Sequence, residues 1–316
     1  MSDKTQIRFK GLVLPLLTAM ALACASTAHG QTQAPPAAAD SEPAPSKPAD
    51  RERLTQLVKQ ALPSWDEKVL QAPKTENWAA DLTPRRVAEA LEDSDLLAVI
   101  KEAPNGVGIF RTKGSVLRFD AEKGQLRYVN RARSVDATGD LGKLPENAKA
   151  EEIALGTLTS LGLPRREFVD FSVATQIAGG APVDSREMQV KAEIYRLVTV
   201  PRRVGDLPVF VSRARAAVTP EGQIQRLRVN WPPLTLQPDM RLVEADDVVA
   251  RAVDLLMDHN ASEKVQLRAQ LGYLPTDAKD ETVVMPVVLF SVEDPPTPFM
   301  FSVPVVEPGE GDDDAK

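Results

Sequence analysis

The sequence predicts an α+β protein with antiparallel sheets, built from repeated units. Three observations lead there. First, two amphipathic helices share one spacing. It is Ala150, Ile153, Ala154, Thr157, Leu158 and Leu161 in one, and Ala245, Val248, Val249, Ala252, Val253 and Leu256 in the other. Both follow i, i+3, i+4, i+7, i+8, i+11, a single face of an α-helix. Second, runs of β-type residues at hairpin spacing follow each helix, and their short connections disfavour parallel pairing. Third, Ala150 and Ala245 lie 95 residues apart, and the turn glycines Gly124 and Gly222 lie 98 apart. Two nearly equal offsets suggest an internal duplication.

Taken in order, residues 1–30 read as a signal peptide. Lys4, Arg8 and Lys10 form a basic start, and Gly11 to Ala25 is apolar apart from Thr18. That run is too short for a good membrane span. Ala28-His29-Gly30 before Gln31 suits a signal peptidase, and cutting near Ala25 is an alternative. Cys24, in "MALAC", loosely resembles a lipoprotein acylation site, although Ala21 stands where leucine is preferred. Two readings follow: a cysteine lost with the leader, or a lipid anchor at Cys24. Either way the body has no cysteine for a disulfide, which fits a periplasmic or secreted chain with a sufficient core. Residues 31–50 are an Ala/Pro-rich linker, and 306–316 an acidic solvated tail.

Residues 51–140 read as an N-terminal helical and hairpin region. A helical stretch over 52–72 is interrupted by Pro63. Thr83-Pro84 starts another helix that runs to about Ile100. Residues 141–238 form the first helix-and-sheet unit and 239–305 the second. Their helices carry Glu151-Glu152 and Asp246-Asp247 in the first turn, where the helix dipole favours acids. Gly162 and Pro164 stop the first helix, and His259-Asn260 ends the second.

Within the first unit, "LPVFVSRARAAVTPEGQIQRLRVNW" reads as a hairpin around Thr219-Pro220-Glu221-Gly222, a type I turn sequence. The apolar parity changes across it, so the sequence predicts a bulge near Gln225-Arg226. Ala214, Ala216, Val218, Ile224, Leu227, Val229 and Trp231 then share the buried face. Arg213, Arg215 and Arg228 share the outer one, with Arg226 nearby. Like charges facing each other across strands cost about 0.2–1 kcal/mol a pair. Acids on neighbouring strands or plain solvation would offset that. A docking face for an acidic partner or an anionic polymer would as well. Arg213, Arg215, Arg226 and Arg228 are therefore the candidate partner-binding residues.

The hairpin belongs to a wider pattern. An acid-led Ala-rich helix precedes "VGDLPVFVSRARAAVTPEGQIQRL", and "LGYLPTD" and "ETVVMPVVLFSV" follow. Over roughly residues 83–305 this resembles PepSY-like domains and the related fungalysin/thermolysin propeptide domains. Gly205-Asp206 stands where those have Asn-Gly, and Thr219 replaces their usual Asp. The resemblance implies a helix on a curved antiparallel sheet, repeated, of PepSY/cystatin-like form. It also implies a relation to protease pro-regions, which inhibit or assist the folding of a cognate protease. No protease domain follows, so such action would be in trans.

Sequence chemistry offers little for catalysis. His29 lies in the leader, which leaves His259 as the one histidine of the body. No His-Glu-x-x-His, P-loop, Gly-x-Gly-x-x-Gly or Gly-x-Ser-x-Gly occurs. No Cys/His set can hold zinc. Adjacent acids such as Glu151-Glu152 diverge around a helix. A formal charge of −7 over 316 residues argues against general nucleic-acid binding. The expectation is an exported, non-enzymatic binding protein without cofactor or metal. Its partner would be a protein, a protease among the candidates. The alternative is an envelope-associated structural or interaction module with no protease link. The oligomeric state is open.

Overall fold

The computed structural model describes residues 49–71, 75–100, 107–136, 142–180, 190–236, 240–278, 281–293 and 298–308. The leader, Cys24, most of the linker and the acidic end of the tail lie outside the described residues.

Three short helices come first: α1 (Arg51–Ala61), α2 (Pro84–Ala90) and α3 (Ser94–Val99). Asp50 caps α1 by accepting from Arg53 N–H, and a 3-10 turn over Glu67–Gln71 follows Pro63. Thr83 caps α2 with Pro84 in its first turn. The single helix expected to reach Ile100 is instead broken at Glu92, whose φ is 51°. The reason is Asp93. It is buried, caps α3 through Leu96 N–H, and accepts from Ser115 Oγ, Tyr128 Oη and Asn130 Nδ2. A continuous helix could not deliver that carboxylate to the sheet.

Three strands follow: β1 (Val107–Arg111), β2 (Ser115–Asp120) and β3 (Gln125–Asn130). Next come α4 (Asn147–Ser160), β4 (Ser172–Gly180), β5 (Val190–Val204), β6 (Leu207–Val218) and β7 (Ile224–Asn230). The chain continues with β8 (Thr235–Leu236), β9 (Met240–Leu242), α5 (Ala245–Asp258), β10 (Gln266–Ala278), β11 (Glu281–Glu293), β12 (Phe299–Pro304) and β13 (Val306–Pro308).

The architecture corrects the expected fold class. Among the described residues the protein is mostly β: eleven strands join one large mixed sheet, with five α-helices, in place of repeated helix-on-sheet units of PepSY/cystatin-like form. Its main path runs β1-β2-β3-β7-β6-β10-β11-β12, with β4 and β5 added beside β6 and β8 beside β11. Strands β9 and β13 form a separate pair. Two pairings are parallel, β6 with β10 and β8 with β11, against the expectation of purely antiparallel sheets.

A break in β6 explains the merger. Its C-terminal part pairs β7 as far back as Arg213, and its N-terminal part meets β10 at Val209↔Tyr273. Between them Phe210, Val211 and Ser212 bulge out opposite the Pro201/Arg202 junction of β5. Val211 sits at φ 59°, a costly place for a β-branched residue. Asn230 Nδ2 donates to its carbonyl at 3.1 Å, and Ser212 Oγ donates to Asn230 O at 2.9 Å. On the other side Gly272 lets the strands meet, since a Cβ there would lie 2.7 Å from the Pro208 carbonyl.

Helices pack on the sheet in two places. Helices α2, α3 and α4 pack on β2, β3, β5, β6 and β7 through Leu96, Leu117, Leu158, Val198, Leu227 and Trp231. Helices α1 and α5 pack on β10, β11 and β12 through Leu54, Val58, Val249, Leu256 and Phe290. Exposed pairs Arg51–Asp254 and Lys59–Asp246 join α1 to α5 and add little.

Candidate functional site

The β6–β7 hairpin has the predicted bulge. Val218 pairs Ile224 and Ala217 pairs Arg226, so Gln225 is the extra residue. Its Nε2 donates to Asn130 O at 3.2 Å, which ties the bulge to the end of β3. Gly222 takes a φ of 76° and its N–H donates to Thr219 O at 3.0 Å, closing the turn. The apolar set from Ala214 to Trp231 is buried as expected. Arg215, Arg226 and Arg228 are exposed, and Arg213 is half-buried.

The register brings more arginines beside them. Arg215 pairs Arg228, Arg228 pairs Arg127, and Arg127 pairs Arg118. Antiparallel partners share a face, so four guanidiniums stand in one row across β6, β7, β3 and β2. At ordinary strand spacing the row spans about 14 Å. Arg213 lies two residues from Arg215 on the same face, and Arg226 two residues from Arg228. Strand β5 continues the row with Thr199, which is neutral.

At its β2–β3 end the face is hollow. A trough of about 610 Å3 is lined by Arg111, Thr112, Val116, Arg118, Arg127, Val129 and Arg131. Its lining contains no carboxylate. Among the described residues, the ion pairs involve none of the eight arginines of this face. The acid nearest in sequence, Asp120, accepts from Lys123 N–H in the β2–β3 turn. Burial holds the Arg213 guanidinium below its ordinary value, and the charges of Arg215 and Arg228 push it the same way. Uncompensated like charge is thus present on the face itself.

The sequence marks the four hairpin arginines but not Arg111, Arg118, Arg127 and Arg131, which the fold sets beside them. Alternation in "SVLRFD" and "QLRYVN" already places Arg118 and Arg127 opposite the apolar residues. What it lacked was the β3–β7 pairing that sets those strands beside the hairpin.

Other clusters serve the fold. Asp93 is buried: that pushes its pKa up, yet the donors Ser115, Leu96 N–H and Tyr128 and the charge of Arg133 hold it below the usual carboxylate range. Its carboxylate caps α3 and ties it to β2 and β3. His259 ends α5 and its ring lies 4.5 Å from that of Phe299. Among the described residues no group of three or more His, Cys, Asp and Glu could hold a metal ion, and no helix is long and apolar enough to cross a membrane.

No protein-family model matches the chain, and no curated protein matches it.

Proposed function

We propose that this is an exported, non-enzymatic binding protein that docks an acidic partner protein on the arginine face of its large sheet. One observation supports this above the others: the row Arg118, Arg127, Arg228 and Arg215, with no ion pair among the described residues. A row of directly opposed like charges costs free energy in the unbound protein. An acidic partner removes that cost, and complementary charge also speeds encounter and excludes wrong partners. The flanking arginines give the patch two dimensions, which suits a protein surface. A protease acted on in trans is one candidate partner.

Two measurements test the reading. In the free protein, Arg228→Gln should raise stability by about 0.2–1 kcal/mol in low salt, with the gain shrinking as salt is added. A clear loss in chemical denaturation would mean that the arginine is structural. Second, the triple variant R213E/R215E/R228E should fold, by circular dichroism, and lose its partner in capture from an envelope extract of the producing cells. Unchanged capture by the folded triple variant would sink the docking face. Adding the chain to the captured protein, where that is a protease, separates an inhibitor from an envelope module.

A further inference from the structure

We propose that the trough at the β2–β3 end of the face is a site for a soluble, compact ligand carrying two or more phosphate groups. Its floor is Val116 and Val129, which pair with each other across β2 and β3. Arginines stand around that floor. Arg111 of β1 pairs Val116 on one side, and Arg226 of β7 pairs Val129 on the other. Arg118 and Arg127 lie two residues along the strands at one end. Arg131, two residues beyond Val129, closes the other end beside Thr112.

Three features select the ligand. Every cation of the lining is arginine and none is lysine. The planar guanidinium fork matches phosphate oxygens in pairs, which a lysine cannot do. The lining carries four positive charges and no negative one, so a single carboxylate would leave most of that charge uncompensated. Two phosphate groups would balance it. The trough, about 610 Å3 and open to solvent, is large enough to seat a compact ligand. Scale also argues for a compact ligand. The lining is confined to β1, β2, β3 and the residues just after β1 and β3, so an occupant that reaches all four arginines is compact. A small ligand inside the ring of arginines feels chiefly those arginines. The apolar floor leaves room for a non-polar part of the ligand between the charged groups.

This site shares Arg118 and Arg127 with the docking face, but it is carried by the trough and does not require a protein partner. The test is calorimetry on the purified chain with inorganic pyrophosphate and tripolyphosphate, with sulfate at matched ionic strength as the control. Both oligophosphates should bind, and sulfate much more weakly. The pair R118Q/R127Q should weaken binding roughly tenfold or more, since each change removes charge-assisted hydrogen bonds. The pair R213Q/R215Q, outside the trough, should stay within about threefold of the parent, as screened charges at that distance act weakly. Melting curves check folding, and R111Q/R131Q replaces the first pair if that fails to fold. Equal weakening by the inner and outer pairs would show a diffuse field and overturn the site. So would binding of phosphatidic acid vesicles or a poly-glutamate peptide without binding of the oligophosphates. Failure of the partner-capture experiment with intact oligophosphate binding would remove the docking face alone.

Discussion

Replacing Glu167 by Ala should destabilise the protein by about 3–5 kcal/mol, read as a fall in the urea midpoint at constant slope. Glu167 and Arg202 are buried together, with side chains 8% and 1% exposed. Arg202 Nε donates to Glu167 Oε2 at 2.6 Å, and the same oxygen accepts from Trp231 Nε1 at 2.9 Å. Arg202 also donates to the Pro232 carbonyl, and its guanidinium lies 5.2 Å from the Trp231 ring. Burial holds the Arg202 guanidinium below its ordinary value, and the charge and hydrogen bond of Glu167 push it back up. Without Glu167 the sheet encloses an unpaired cation and an unpaired indole N–H. The cost comes from breaking the pair, since forming it also desolvated two ions. The double variant E167L/R202M should therefore recover much of the loss. A loss below about 1 kcal/mol for Glu167→Ala would show that Arg202 is not held as described.

Gly124→Ala should cost about 2–4 kcal/mol by the same measurement. Gly124 occupies φ 57°, where a side chain costs about 1–2 kcal/mol. A Cβ there would also stand 2.3 Å from the Trp231 carbonyl oxygen, which cannot yield cheaply because it is backbone. That carbonyl accepts from Trp78 Nε1 at 2.8 Å, and Trp231 N–H donates to Gly124 O at 3.0 Å. Moving Trp231 would weaken both bonds, each worth about 0.5–1.5 kcal/mol net. It would also disturb the edge-on contact of Trp231 with Phe168. Gly156→Ala is the control, since its Cβ would meet nothing within 4 Å and it sits inside α4, where Ala is the better helix former. A neutral Gly124→Ala would mean that the β2–β3 turn is free to move away from Trp231.

Both predictions concern places where distant segments meet: Gly124 is legible in the sequence as a turn glycine, but its approach to Trp231 is not, and nor is the Glu167–Arg202 pair. Glu167 and Arg202 lie on a short turn and a strand separated by a long stretch of chain. Nothing in local spacing marks them as partners. Asp93 is a similar case. The start signal at Thr83-Pro84 predicts one helix to about Ile100, which would run straight through Asp93. Only the approach of Ser115, Tyr128 and Asn130 makes a break there worthwhile. The fold class differs from the expectation for the same kind of reason. Helix and hairpin patterns repeat every hundred residues or so, which predicts repeated units. The bulge at Phe210–Ser212 and the small Gly272 instead let β6 pair with both β7 and β10, which joins the strands into one sheet.

The β6–β7 hairpin shows how far local chemistry reaches. Side-chain parity fixes which residues face inward, and the parity change at Ile224 demands one extra residue. Both are properties of a few consecutive residues, so they could be read before any contact was known. The arginine face is different. Arg213, Arg215, Arg226 and Arg228 follow from the hairpin itself, but Arg118 and Arg127 join them only through the β3–β7 pairing. Hydrogen bonding between strand edges is nearly indifferent to sequence, because every backbone offers the same N–H and C=O groups. Which strands become neighbours is settled by the packing of the whole core. That choice turned four arginines of one hairpin into an eight-arginine face with a trough at its end.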